Sequence, residues 1–136
     1  MIKKVFVNGT FDILHSGHLH LLNYAKSLGD YLIVGIDSDE RIREKKGPSR
    51  PVNNIKERSL MLSSIKPVDE VLHFSTDEEL ENMVKSIKPD IMVVGSDWKG
   101  KPVIGSQYAL ELKFFNRIDG YSTTKTIQNI INRRDM

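Results

Sequence analysis

Two histidines near the start of the chain stand three residues apart, where a short apolar run gives way to a helical pattern. The segment reads Gly9-Thr10-Phe11-Asp12-Ile13-Leu14-His15-Ser16-Gly17-His18. The N-terminus of a helix presents unpaired N–H groups and partial positive charge. Imidazole donors at that position suit phosphate oxygens and would stabilise negative charge that develops on them during a reaction. Gly9 and Gly17 would let a ligand approach the backbone closely.

The same segment allows two other interpretations. In the first, Asp12 only caps the helix and the histidines are incidental polar residues. In the second, Asp12, His15 and His18 recur every three residues and bind zinc. Side chains at this spacing on one helix rarely converge on a metal without ligands from elsewhere, so we predict no protein metal site.

A basic stretch lies between Asp37 and Asn54, and we interpret it as a loop after the second apolar run. Its glycine and prolines suggest an ordered but movable segment, and its cations could neutralise phosphates. These cations are Arg41, Arg43, Lys45, Lys46 and Arg50. The alternative is a basic loop that is simply solvated.

The segment Gly95–Pro102 follows another apolar run and matches the first seven positions of a Walker A loop. Its eighth position is Pro102, where the serine or threonine that binds magnesium should stand, so the pattern argues against a P-loop NTPase. Asp97 and Trp98 are then either nucleotide-site residues or parts of a surface turn.

The fourth segment, Arg117–Thr124, leads into the last helical pattern. Ser122 and Thr123 fall at the predicted start of that helix, where hydroxyl and N–H groups can cap the helix or bind phosphate.

Five apolar runs alternate with helical patterns and would position these segments. The runs predict strands at 5–7, 31–36, 70–74, 91–94 and 113–115. The helical patterns predict a helix around Leu19–Leu28 and further helices at about 55–65, 76–87, 106–112 and 122–132. Such alternation predicts an α/β fold with a five-stranded parallel sheet, whose ligands bind at the carboxyl ends of the strands. We therefore expect functional residues directly after Val7, Ile36, Phe74, Val94 and Phe115.

The composition sets the remaining limits. The 136 residues suffice for one domain, predicted over 1–136, and contain no cysteine for disulfides or a thiolate nucleophile. A net charge of +2 and a single tryptophan argue against a nucleic-acid-binding module. Without an apolar run of membrane-spanning length or a signal peptide, we expect no membrane partner and a cytoplasmic location.

Taken in order, these segments resemble those of the cytidylyltransferase-like nucleotidyltransferase superfamily. The first matches its signature G-T-F-D-x-x-H-x-G-H in full, and the fourth matches R-x-x-G-x-S-T-[ST]. The run Lys46–Asn53, followed by Glu57-Arg58, looks like the loop of heptose 1-phosphate adenylyltransferases. The run Gly95–Lys101 is similar to G-D-D-W-x-G-K of glycerol-3-phosphate cytidylyltransferases, with Ser96 in place of the first aspartate.

The resemblance implies a Rossmann-like three-layer sandwich that transfers a nucleotidyl group from ATP or CTP to a small phosphorylated acceptor and releases pyrophosphate. Mg²⁺ would be bound through the nucleotide phosphates. Asp12 is expected to orient Thr10 or the loop backbone, because an acceptor phosphate is already ionised and needs no base.

The catalytic residues implied are His15, His18, Lys46 and Arg117. The nucleotide-binding residues implied are Gly9, Thr10, Phe11, Asp12, Gly17, Gly95, Asp97, Trp98, Tyr121, Ser122 and Thr123. Arg50 and Arg58 are expected at the acceptor site or in support of it.

Substrate choice stays open at this stage. Lys46–Asn53 and Ile104-Gly105-Ser106 favour ATP and heptose 1-phosphate, whereas Gly95–Lys101 and Arg117 favour CTP and glycerol 3-phosphate. We favour adenylyl transfer. A non-catalytic nucleotide-binding protein is the alternative from a different class. The resemblance also implies a homodimer, for which the helix from Ile55 and the segment Val68–Val71 are candidate surfaces.

Overall fold

The computed structural model describes residues 1–116 and 122–134, and its five strands form one parallel sheet. The strands are β1 (Lys4–Gly9), β2 (Tyr31–Asp37), β3 (Glu70–Phe74), β4 (Ile91–Gly95) and β5 (Glu111–Phe115). Their order across the sheet is β3-β2-β1-β4-β5, and every neighbouring pair is parallel. This arrangement confirms the predicted α/β fold.

Helices connect the strands and cover both faces of the sheet. They are α1 (Ser16–Ser27), α2 (Asp39–Lys46), α3 (Ile55–Ser64), α4 (Asp77–Ile87) and α5 (Thr123–Arg133), with short 3₁₀ turns at Ser96–Trp98 and Ser106–Tyr108. Within the described ranges, no helix is both long enough and apolar enough to cross a bilayer.

Alternate residues of the central strand feed two separate cores. Val5 and Val7 pack on one face of the sheet with Leu22 of α1 and Leu62 of α3. Phe6 packs on the other face, in the cluster that contains Leu80 and Val84 of α4. Because side chains alternate across a strand, this pattern gives the three-layer sandwich that the resemblance implied.

Helix α2 corrects the predicted loop between Asp37 and Asn54. Ser38 caps the helix, with its Oγ accepting a hydrogen bond from Arg41 N at 3.2 Å. Acidic residues occupy the first turn and basic residues the last turn, which complements the helix dipole. Only the adjacent Arg41 and Ile42 are buried, so the helix carries no apolar periodicity.

The predicted helix at 106–112 is also wrong in its second half. A 3₁₀ turn covers Ser106–Tyr108, and the chain then enters β5 at Glu111, which is two residues earlier than predicted. Glu111 and Leu112 pair in register with Ile91 and Met92, so sheet pairing overrides the local helical pattern here.

Candidate functional site

A cavity of about 640 Å³ opens at the carboxyl ends of the strands. Its centre lies at the end of β1, which stands between β2 and β4. From β1, the strands β2 and β3 follow on one side of the sheet, and β4 and β5 follow on the other. Such a switch point is where open parallel sheets bind ligands, and the volume suits a small molecule. The cavity is lined by residues that follow β1, β2 and β4 and by the starts of α1 and α5, together with part of α2.

The turn from β1 into α1 brings the two predicted histidines together. Their rings stack with centroids 3.8 Å apart, and Phe11 packs against His18 at 5.1 Å. His15 caps α1, and its backbone N–H donates to His18 Nδ1 at 3.3 Å. Because Nδ1 accepts this bond, the neutral His18 ring carries its proton on Nε2. His18 is thus prepared to act as a hydrogen-bond donor from Nε2. Both histidines line the cavity.

Asp12 is buried, and its carboxylate binds the loop that precedes α3. Val52 N donates to Oδ2 at 2.8 Å, and Asn53 N donates to Oδ1 at 2.7 Å. Arg50 forms an ion pair with the same carboxylate, with Nε 3.4 Å from Oδ2. Asp12 therefore orients the backbone of the loop before α3. It is not among the residues that line the cavity, although the resemblance implied a nucleotide-binding residue there.

Arg58 is fully buried and supports the same turn. Its Nη1 donates to Thr10 O at 3.1 Å, its Nε to Asn53 O at 3.0 Å and its Nη2 to Asp39 Oδ1 at 2.7 Å. One guanidinium thus joins the end of β1, the loop before α3 and the start of α2. The structure places Arg58 in a supporting position, outside the cavity lining.

The cations of α2 lie along one wall of the cavity. Lys45 and Lys46 both line it, as does Arg50 from the following loop. Gly47 ends α2 with φ of 100°, a conformation that glycine adopts without strain. The basic segment therefore presents its charge to the cavity from a helix end.

The cavity lining also includes residues outside the predicted site set, among them the charged residues Asp37 and Arg41. Arg41 Nη2 donates to Asp77 Oδ1 at 2.6 Å, and Arg41 Nε lies 3.6 Å from Asp37 Oδ2. Burial raises the pKa of Asp37 above its ordinary value, whereas the hydrogen bond from Arg41 lowers the pKa of the exposed Asp77. The available signal was the position of Asp37, directly after the apolar run that ends at Ile36.

The β4 side of the cavity is formed by the Gly95–Trp98 segment. Gly95, Asp97 and Trp98 all line the cavity, and Trp98 is half-exposed. A Cβ built on Gly95 would meet no atom within 4 Å. This segment therefore leaves open space beside its backbone, bordered by Val103 and Ile104.

The start of α5 closes the cavity from the far end of the chain. Ser122 Oγ accepts a hydrogen bond from Lys125 N at 2.9 Å and so caps the helix. Thr123 Oγ1 lies 3.5 Å from both the N and the O of Ile13, which ties α5 to the β1–α1 turn. Ser122 and Thr123 both line the cavity.

The structure thus brings most of the predicted residues to one place. The cavity is lined by Gly9, Thr10, Phe11, His15, Gly17, His18, Lys46, Arg50, Gly95, Asp97, Trp98, Ser122 and Thr123. Asp12 and Arg58 lie behind it. Arg117 and Tyr121 fall outside the described residues, so their predicted roles stay predictions.

Residues 6–129 match the family model described as cytidylyltransferase-like. The chain belongs to this family. Its relatives include proteins named bifunctional protein HldE from Sulfurimonas denitrificans, 52% identical over 94% of this chain, and from Helicobacter hepaticus, 48% identical over 94% of this chain. The chain spans only 27% and 26% of the lengths of these two relatives.

Among solved structures of similar fold is that of the lipopolysaccharide core biosynthesis protein from Thermoplasma volcanium. It is 26% identical with a TM-score of 0.73, and the match covers 88% of this chain and all of that one. Family membership confirms the resemblance drawn from the sequence and supports the expected enzyme class, a nucleotidyltransferase.

Proposed function

We propose that this domain transfers AMP from ATP to D-glycero-β-D-manno-heptose 1-phosphate, forming ADP-heptose and pyrophosphate. The observation that carries the proposal is the convergence of three phosphate-binding features on one cavity. These features are the His15–His18 pair, the cations at the end of α2 and the N-terminus of α5.

The choice of heptose and ATP draws on the loop and on the relatives. The run Lys46–Asn53 resembles that of heptose 1-phosphate adenylyltransferases, and Asp12 binds its backbone at Val52 and Asn53. The Thermoplasma volcanium protein is named for biosynthesis of the lipopolysaccharide core, which fits an activated sugar as the product.

The proposed reaction needs no enzyme nucleophile. An oxygen of the acceptor phosphate forms a bond to the α-phosphorus, and the bond from that phosphorus to the bridging oxygen breaks. The electron pair leaves with pyrophosphate. His15 and His18 would donate to the phosphate oxygens as charge builds, with Lys46 and Arg117 at the β- and γ-phosphates and Ser122 and Thr123 around the pyrophosphate. Catalysis then consists of positioning and charge stabilisation.

We also propose that Mg²⁺ enters with the nucleotide, held by its phosphate oxygens, where it would neutralise charge. Within residues 1–116 and 122–134, no group of three or more His, Cys, Asp or Glu side chains could hold a metal ion. The donors that line the cavity at the histidines and at α2 instead match phosphate oxygens.

Synthesis of CDP-glycerol is the second candidate. The Gly95–Lys101 segment resembles the cytidylyltransferases that act on glycerol 3-phosphate, and its Asp97 and Trp98 do line the cavity. A non-catalytic nucleotide-binding protein would instead bind a nucleotide without releasing pyrophosphate.

A pyrophosphate-release matrix separates these functions. It combines ATP, CTP, GTP and UTP, each with Mg²⁺, with heptose 1-phosphate, glycerol 3-phosphate and phosphocholine. The proposal expects the fastest release from ATP with heptose 1-phosphate. Fastest release from CTP with glycerol 3-phosphate would favour the second candidate. Nucleotide binding without release from any pair would show a binding protein.

A homodimer and a cytoplasmic location complete the proposal. Helix α3 presents the exposed apolar side chains Leu60 and Met61, which supports α3 as the dimer surface together with Val68–Val71. Light scattering is expected to give twice the chain mass, and Leu60→Lys is expected to give a monomer. A wild-type monomer at micromolar concentration would contradict the dimer.

A further inference from the structure

Asp37 is a carboxylate in a cavity whose other charged side chains are mostly cations. It is the last residue of β2, its side chain is 13% exposed, and it lines the cavity. Arg41 Nε lies 3.6 Å from its Oδ2, which is an ion pair beyond hydrogen-bond distance. In the part of the chain that the structure describes, no hydrogen bond to this carboxylate is formed, so its acceptor capacity faces the cavity.

The charges around Asp37 select the kind of group that it can bind. Burial raises the pKa of Asp37, while Arg41, Lys45, Arg58 and Lys46 all act to lower it. These cations already balance the charge of the Asp37 carboxylate, so a cationic ligand group would gain little by binding there. The carboxylate would repel a phosphate group. A hydroxyl group donates a hydrogen bond without bringing charge and is therefore the best match.

The position of Asp37 in the sheet assigns it to the acceptor. The histidines follow β1, while Asp97 and Trp98 follow β4, on one side of β1. Asp37 ends β2, on the opposite side of β1, and neighbouring strands are about 4.8 Å apart. A nucleoside held beside Asp97 and Trp98 would occupy the β4 side of the cavity and leave the end of β2 to the acceptor.

The surroundings of Asp37 also fit a sugar. Ile42, Phe74 and Leu80 are buried apolar residues that line the same cavity, and Phe74 pairs in register with Asp37. Apolar walls with a few polar groups at defined positions are typical of small-molecule sites. Here the walls can contact the carbon skeleton of a sugar while a carboxylate binds its hydroxyls.

We infer that Asp37 determines acceptor specificity, by accepting hydrogen bonds from the hydroxyl groups of a polyhydroxylated phosphate ester held on the β2 side of the cavity. The inference rests on the proposed function, which supplies the acceptor. Asp37 acts on binding of the acceptor and takes no part in binding the nucleotide.

The test compares Asp37→Asn with Glu40→Gln. The first keeps the size of the side chain and removes its charge, and the second removes a carboxylate from an exposed position three residues away. Calorimetry measures the Kd of each variant for heptose 1-phosphate and, separately, for the non-reacting α,β-methylene analogue of ATP. Asp37→Ser serves as a second variant in case Asp37→Asn does not fold.

We expect Asp37→Asn to raise the Kd for heptose 1-phosphate about 10- to 100-fold, the range for losing hydrogen bonds to a charged group. The Kd for the ATP analogue should stay within about twofold, and Glu40→Gln should change neither. In turnover, the KM for the sugar phosphate should rise while the KM for ATP stays constant.

Three results would overturn the inference: an unchanged Kd for the sugar phosphate, an equal loss for both ligands, or no binding of the sugar phosphate to wild type. The inference would also be overturned if Asp37→Asn weakened the binding of phosphocholine more than the binding of the sugar phosphate. Asp37-dependent binding of the sugar phosphate without pyrophosphate release from any pair would uphold the inference and reject the proposed function.

Discussion

Asp12 and Asn53 bind each other twice: Asn53 N donates to Asp12 Oδ1 at 2.7 Å, and Asn53 Nδ2 donates to Asp12 O at 2.8 Å. They are 41 residues apart in the chain. The pair fixes the turn that carries the histidines against the loop that follows the cations of α2. The relative position of these two phosphate-binding features therefore depends on a buried carboxylate that does not line the cavity.

The first prediction concerns the stability that Asp12 supplies. Asp12→Ala leaves the part-buried backbone N–H groups of Val52 and Asn53 without their acceptor, and Arg50 without its ion pair. We expect a loss of about 2–4 kcal/mol in the free energy of unfolding, measured by urea denaturation.

Asn54→Ala is the control for Asp12→Ala. Asn54 is an exposed cap of α3 whose Oδ1 accepts from Glu57 N, so its loss should cost only about 1 kcal/mol. An Asp12→Ala variant no less stable than Asn54→Ala would show that the loop does not depend on Asp12.

The second prediction tests whether the positive charge of Arg58 is enough to explain its contribution to stability. Its guanidinium donates to three different acceptors, and a lysine ammonium cannot reach them with the same planar geometry. Arg58→Lys is expected to cost about 3 kcal/mol in the same assay. Lys56→Ala, at an exposed position on the same helix, should stay within about 0.5 kcal/mol of wild type. Full stability in Arg58→Lys would mean that a positive charge is sufficient.

The third prediction follows from the raised pKa of Asp37, which burial causes. Because this pKa is higher in the folded state than in the unfolded state, the folded state binds the proton more strongly. Stability is therefore lost as pH rises from the unfolded pKa through the folded one. Asp37→Asn lacks this loss, so it should melt at a higher temperature than wild type at pH 7.

The difference in melting temperature should close at about pH 3, below the ordinary carboxyl pKa. Differential scanning calorimetry between pH 3 and pH 8 measures it, with Glu40→Gln as a control that shows no such trend. A lower melting temperature for Asp37→Asn at every pH would mean that the contact with Arg41 outweighs the burial of the carboxylate.

The fourth prediction concerns the space beside Gly95. Its φ of −64° and ψ of 151° suit alanine, and an added Cβ meets nothing within 4 Å. Gly95→Ala should therefore fold normally and gain about 0.4–1 kcal/mol from reduced freedom of the unfolded chain. The added methyl group occupies cavity space, so the thermal shift produced by ATP should shrink. An unchanged shift would place the nucleotide away from this strand end.

The sequence predicts the sheet better than the connections. All five strands were predicted, because continuous apolar runs such as Tyr31–Ile36 mark strands that are covered on both faces. Helix α2 was missed, since its capping by Ser38 and its charge pattern carry its signal and it lacks an apolar stripe. The early start of β5 was missed because sheet pairing, which is not a local property, decides it.

In the site, too, the sequence predicted local motifs better than it predicted contacts between distant elements. The residues that follow β1 and β4 were found through motif spacing, whereas Arg41 looked like any other cation of a basic stretch. Its role depends on contacts with Asp37 and Asp77, which come from different elements. The sequence indicated that Asp12 would orient backbone. Its partners, Val52 and Asn53, could not be predicted, because they depend on the folded path of residues 50–53.

The central claim is that the His15–His18 pair stabilises charge on the phosphates during transfer. Steady-state pyrophosphate release from ATP and heptose 1-phosphate tests it most directly, by comparing His18→Ala with His20→Ala. His20 is exposed on α1 and does not line the cavity. We expect His18→Ala to lower kcat about 10²- to 10³-fold with an unchanged melting temperature, and His20→Ala to match wild type. Near-normal kcat in His18→Ala would contradict the account.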